Sequence, residues 1–238
     1  MRTIILAAIA ATLIPVTAHA APGLGDEVYG ATVNPGELET EVRYDTLTGG
    51  PDDGEDVVKL EAAYGVSHNL RVGMVTEFER EPGDSRKAEA LGIEAIWALG
   101  KVGGIDLAVY GEYEFGFTGP DKIETKLLLE RRSGPVDLRL NLVAEKPLVS
   151  GAKVELSYAA SADIETIGEF RLGVQAFGDL GTFDRFAPYG EHFVGPVIST
   201  EIEGFGPDLE LQAGYLFAVG KSRDDTKGQL RFALEAEF

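Results

Sequence analysis

The sequence has 238 residues, of which 44% are hydrophobic, a formal charge of −19 and no cysteine. That size allows one large domain or two small ones, and the hydrophobic fraction excludes a disordered chain. The charge excludes a nucleic-acid partner, which needs a basic face, and suits cations and neutral solutes. The missing cysteines exclude disulfides and thiol chemistry.

Residues 1–20 read as a cleaved secretory signal. Arg2 precedes an apolar run from Ile4 to Ile14, Pro15 breaks the run, and Ala18, His19 and Ala20 form a small-x-small cleavage pattern. The run is too short for a membrane helix, and no later segment approaches one. Residues 21–35 are expected as a short periplasmic lead-in to a domain over 36–238.

From Pro35 onward the dominant pattern has period two. Glu37 to Asp45 sets Leu38, Thr40, Val42 and Tyr44 against Glu39, Glu41 and Arg43, which predicts a strand with unlike faces. Asp56 to Val66 sets Val58, Leu60, Ala62 and Tyr64 against Lys59 and Glu61. Leu70 to Arg80 sets Val72, Met74 and Phe78 against Arg71, Glu77 and Glu79. Ala88 to Leu99 sets Leu91, Ile93 and Trp97 against Glu94. Ile105 to Phe117 sets Leu107, Val109, Tyr113 and Phe115 against Glu112 and Glu114. Lys122 to Arg132 sets Ile123, Leu127 and Leu129 against Glu124, Lys126 and Glu130. Val136 to Glu145 sets three leucines against Asp137, Arg139 and Asn141.

The second half continues the rhythm. Lys153 to Ala160 carries Val154, Leu156 and Tyr158 opposite Glu155. Ile167 to Phe177 carries Phe170, Leu172 and Val174 opposite Glu169, Arg171 and Gln175. His192 to Glu203 is the weakest segment, and Pro196 in its middle predicts a bulge or break. Leu209 to Val219 carries Leu211, Tyr215 and Phe217 opposite Glu210. Gln229 to Phe238 carries Leu230, Phe232, Leu234, Ala236 and Phe238 opposite Arg231, Glu235 and Glu237. These are about twelve strands of roughly ten residues, near the length a tilted strand needs to cross a bilayer.

Long polar connections alternate with tight ones such as Ser67 to Asn69 and Ser133 to Pro135. That asymmetry, with an even strand count, places both chain ends on the side of the short turns. Alternation alone does not say which face points inward. A soluble up-and-down barrel would put the apolar face inside. Three features place it outside: an ionic opposite face on nearly every strand, aromatic residues near strand ends, and a last strand that stops on Phe238.

The signal, the even set of amphipathic strands and the terminal Leu234-x-Ala236-x-Phe238 row resemble the Gram-negative outer-membrane β-barrel class, porins included, with no specific family indicated. The resemblance covers the whole mature chain. It implies an all-β, transmembrane, antiparallel up-and-down barrel in the cell outer membrane, reached through the periplasm and surrounded by lipid and lipopolysaccharide. It also implies that Phe238 belongs to the signal read by the barrel-assembly machinery.

The charged face then lines the lumen through Glu39, Glu41, Arg43, Lys59, Glu61, Arg71, Glu77, Glu94, Glu112, Glu114, Lys126, Arg139, Glu155, Arg171, Glu210, Arg231 and Glu235. Acids outnumber bases. The expected function is a passive, narrow channel for cations or small neutral polar solutes. A lumen sealed by ion pairs, with a structural or surface-recognition role, is the alternative that barrel width leaves open. Porins of this class that pass acidic oligosaccharides need a basic lumen, so anionic substrates are disfavoured.

The connection from Gly178 to Glu191 holds Phe183, Asp184, Arg185, Phe186 and Tyr189. It could fold inward as a constriction, although such a loop is more often a surface excursion. An outer-membrane lipid hydrolase using His192 is the enzymatic alternative. The expected reading is no enzyme, because Ser199 falls on the other face of the strand from His192. No cofactor or metal motif is present, and the loop acids from Asp52 to Asp56 and at Asp224 and Asp225 read as solvated charge.

Overall fold

A computed structural model describes residues 21–202, 204 and 206–238. The expected signal peptide and position 203, the expected end of the proline-containing strand, lie outside the described residues. The strands are β1 (Leu38–Thr48), β2 (Asp56–Ser67), β3 (Leu70–Arg80), β4 (Lys87–Val102), β5 (Ile105–Gly116), β6 (Lys122–Ser133), β7 (Val136–Pro147), β8 (Glu155–Glu165), β9 (Phe170–Thr182), β10 (Arg185–Phe186), β11 (Glu191–Ile202), β12 (Asp208–Gly220) and β13 (Gly228–Glu237). A single helical turn, α1 (Ser222–Asp225), joins β12 to β13.

Barrel strands pair antiparallel with their neighbours, β9 pairs with both β8 and β11, and β13 returns to β1. β1–β9 and β11–β13 therefore close a twelve-stranded ring, the expected all-β antiparallel barrel. Closure matters because an open sheet edge in hydrocarbon leaves backbone groups unbonded. The two-residue β10 folds back only on the end of β9.

One local expectation fails and another holds in part. Glu169, expected in a strand, lies in the exposed turn before β9, because β8 runs on to Glu165. The small and polar residues at the end of β8 offered too little contrast to reveal it. At Pro196 there is no bulge, but the expected break occurs in one of the two ladders. The registers of β11 with β9 and with β12 are unshifted across it, and only Gly195 and Pro196 drop out of the β12 ladder. A proline has no N–H to place there, and Gly195 lets the backbone close on the Tyr215 carbonyl, which a Cβ would strike. Bulges occur instead between Gly65 and Ser67, Glu77 and Phe78, Ala98 and Gly100, and Leu156 and Ser157.

The outward rows are apolar and uncovered. Val42, Leu60, Met74, Ile93, Leu127, Leu142, Leu172, Ile198, Leu211 and Leu234 are all exposed, as are Trp97 and Tyr64 nearer the strand ends. Fully burying one such side chain is worth about 1.5–3 kcal/mol. An encircling belt left in water would compete with the about 5–15 kcal/mol that holds a typical domain together. The belt is therefore a lipid-facing surface, as expected from the sequence.

The inner face is not purely ionic. Leu47, Val57, Phe177, Phe193, Leu216 and Ala218 point inward and form a buried cluster with Leu24 and Val28. Ile96, Ala108, Tyr110 and Leu128 form a second with Tyr29 and Ala31. Both clusters depend on residues that precede β1.

Candidate functional site in the barrel lumen

Because strands tilt in a closed barrel, a row of directly paired residues climbs as it goes round. On the lumen face one such row is made of glutamates. Glu201 of β11 pairs with Glu210, Glu210 with Glu235, Glu235 with Glu41, and Glu41 with Glu61. A second row runs Glu94, Glu112, Glu124, Glu145 and Glu155 across β4 to β8. β3 interrupts the sequence, and the row steps by two residues there, because Glu61 is in register with Val75 and Val75 with Gly92; Arg71 on β3 bridges the step, with Nη2 2.7 Å from Glu61 and Nη1 3.1 Å from Glu94. Glu201 and Glu210 lie near the strand ends on the side of the chain termini, whereas Glu155 opens β8 at the opposite end. The ten carboxylates thus spiral from one mouth to the other.

Directly opposed like charges destabilise a sheet, so their neighbours matter. In the middle, Arg43 lies 2.6 Å from Glu27, 2.8 Å from Glu41 and 2.7 Å from Glu61. These three acids form the one carboxylate trio among the described residues that is compact enough for a metal ion, and the guanidinium already lies among them. Towards the outer mouth, Lys126 lies 3.0 Å from Glu124 and is stacked 4.6 and 4.5 Å from the Tyr29 and Tyr110 ring centroids. Lys122 is 3.5 Å from Glu114 and 3.8 Å from Glu145, and Lys59 is 3.1 Å from Glu77.

The segment expected to be a periplasmic lead-in lies inside the barrel, and this corrects the reading of residues 21–35. Gly25 donates its N–H to Asp45 at 2.7 Å, Tyr29 to Asn141 at 2.8 Å, and Ala31 to Glu130 at 2.8 Å. Asn141 donates back to the Tyr29 carbonyl at 3.0 Å. Gln229 donates to the Pro22 carbonyl at 2.8 Å, and Arg231 donates to the carbonyls of Gly23, at 2.7 Å, and Asp26. Gly23 (φ +79°) passes so close to the Phe177 ring that a Cβ there would collide with it. The physical cause is unmet polarity and apolar surface on the inner wall, which an extended segment with free backbone groups and Leu24, Val28 and Tyr29 satisfies.

The segment divides the lumen into two cavities. One, of about 470 Å³, opens towards the chain termini and is lined by Glu39, Arg71, Arg139, Arg171, Glu210 and Glu235 among others. The other, of about 190 Å³, lies towards the outer mouth beside Lys59, Glu77, Glu112, Glu114, Lys126 and Glu155. Asp26, Glu27, Tyr29 and Arg43 line both and stand between them. Arg231 reaches the first cavity and Asp45, at 3.1 Å. Every lumen charge selected from the sequence therefore faces the interior.

Other selected residues fall elsewhere. Phe183, Asp184, Arg185, Phe186 and Tyr189 are exposed around the β9–β10 hairpin. The constriction is supplied by the inserted segment and not by this loop. His192 lies on the outward face, with Nδ1 3.5 Å from the Tyr158 hydroxyl. The Ser222 hydroxyl bonds the His192 main chain, and Ser199 lines the lumen cavity, so among the described residues no serine hydroxyl bonds the imidazole. Phe238 is 63% exposed beyond the apolar row of β13, and its N–H donates to the Leu38 carbonyl at 2.9 Å.

No protein-family model and no curated protein matches the sequence. Solved structures do match in fold. The KdgM porin in complex with disordered oligogalacturonate aligns over 84% of this chain and 98% of its own, at 9% identity and a TM-score of 0.58. The NanC porin aligns over 84% and 98% at 10% identity and 0.55. An outer membrane channel from Pseudomonas putida F1 aligns over 92% and 100% at 12% identity and 0.57. The fold is that of porin-like outer-membrane β-barrels.

Proposed function

We propose that the protein is an outer-membrane channel for cations or small neutral polar solutes, narrowed by its own residues 21–33. The observation that carries this reading is the glutamate spiral, continuous from mouth to mouth except for the Arg71 bridge. Carboxylates lining a pore attract cations, and low-dielectric walls focus their field. The KdgM structure holds oligogalacturonate, a polyanion; the acidic spiral here would repel such a solute. The belt of exposed apolar side chains and the porin-like fold support placement in the outer membrane.

A sealed barrel is the competing reading, and the inserted segment favours it. Planar-bilayer recording separates the two. The channel reading predicts discrete conductance steps with cation preference. Steps that favour anions overturn it, as does silence both in the complete protein and after deletion of residues 21–33.

A further inference from the structure

The inserted segment is held by its backbone. Among the described residues, none of residues 27–35 bonds main chain to main chain, so the segment is not a strand added to the wall. Wall side chains take its peptide groups instead. Asp45, Asn141 and Glu130 accept from the N–H groups of Gly25, Tyr29 and Ala31. Gln229, Arg231, Arg139 and Asn141 donate to the carbonyls of Pro22, Gly23, Asp26, Val28 and Tyr29. Asn141 is fully buried and serves both groups of Tyr29, a pairing open to any residue except proline.

Contacts of this kind read the peptide unit, so they suit extended peptides of many sequences. Two side chains add preference. Leu24 joins the apolar cluster of Phe177, Phe193 and Leu216, and the Tyr29 ring centroid lies 5.0 Å from that of Tyr110.

A second observation shows that this occupant leaves the wall incompletely used. Gln229 is fully buried, and its Nε2 holds the Pro22 carbonyl at 2.8 Å. Its Oε1 has no hydrogen-bond partner, and Pro22 has no N–H to offer. A peptide without proline at that place carries the missing donor.

We propose that the lumen wall at Asp45, Glu130, Asn141, Gln229 and Arg231 is a binding site for extended oligopeptides, and that residues 21–33 are its built-in competitor. Peptides as a transported class rest on the channel reading for small polar solutes. Peptides as bound ligands do not.

The test uses the complete barrel with one thiol introduced by Ala31→Cys, since the chain has no cysteine of its own. Ala31 is 2% exposed, so the seated segment shields the thiol from a maleimide in solution. The barrel is refolded in detergent with a synthetic peptide of residues 21–33, so that tethered and free copies compete from the start. The tether gives the segment an effective concentration of about millimolar, and the peptide is varied through that range. Labelling should rise about tenfold or more and saturate. The same peptide, N-methylated at the residues equivalent to Gly25, Tyr29 and Ala31, loses three donors and should need about tenfold more or fail altogether. Heat-modified gel mobility verifies that the barrel folds. A thiol that labels fast without peptide, labelling that never rises with it, or an equal effect of the N-methylated peptide would overturn the site. Bilayer recording keeps the two ideas apart: peptide competition without current removes the channel and keeps the site, and cation current without competition does the reverse.

Discussion

The two ends of the lumen begin from the same problem and solve it differently. Each carries a cross-strand ladder of opposed glutamates. Towards the outer mouth, Lys59, Lys122 and Lys126 lie among the acids, and Leu24 joins Phe177, Phe193 and Leu216 in an apolar cluster. Towards the chain termini, the acids from Glu201 to Glu235 face a cavity more than twice as large, which Arg139 of β7 and Arg171 of β9 also line. The ladder by itself therefore does not decide whether a lumen is filled or open. Where the lysines and the inserted segment fall decides it.

The largest expected effect comes from deleting residues 21–33. It should join the two cavities and raise single-channel conductance several-fold. It should also lower thermal stability, because Asn141, Glu130 and Arg231 lose partners, at about 1–3 kcal/mol for each buried group left unmet. Unchanged conductance would show that the segment does not bound the path. Next, Glu210→Lys together with Glu235→Lys should cut cation preference strongly, read as a shift of reversal potential towards the anion side. The same exchange at Asp224 and Asp225, on the outer loop, should shift it little.

Phe238→Asp, or removal of Phe238, tests assembly. A charge at the end of the outward row of β13 should lower the yield of heat-modifiable barrel in membranes, with little change in the conductance of the barrels that form. The smallest effect is expected from Lys126→Met. It removes the cation stacked between Tyr29 and Tyr110, worth about 0.5–2 kcal/mol, and leaves Glu124 without its ion pair. A modest fall in melting temperature and a modest rise in cation current through the outer half are expected.

Much of the frame was legible in the sequence. Alternation located all twelve barrel strands and assigned each selected charge to its face, because a period of two is what a half-lipid, half-water wall imposes. The spiral was not legible. Alternation gives the face of Glu41 and Glu235 but not that they pair, since register depends on turns and bulges. Glu145 and Glu201 share the parity of the charged face, and only the register shows that they belong to the row. The filled lumen did leave a signal. Leu47, Val57, Ile96, Leu128, Phe177, Phe193 and Leu216 share the parity of the charged face, and apolar residues facing a water-filled pore would have no partner. Leu24, Val28 and Tyr29, in a segment without strand periodicity, supply that partner.

Reversal potential across a potassium chloride gradient, recorded on the unmodified protein in a planar bilayer, tests the central claim most directly. The glutamate spiral predicts resolved steps whose current reverses at a potential of the sign that marks cation preference. Reversal on the anion side, or at zero, would contradict it.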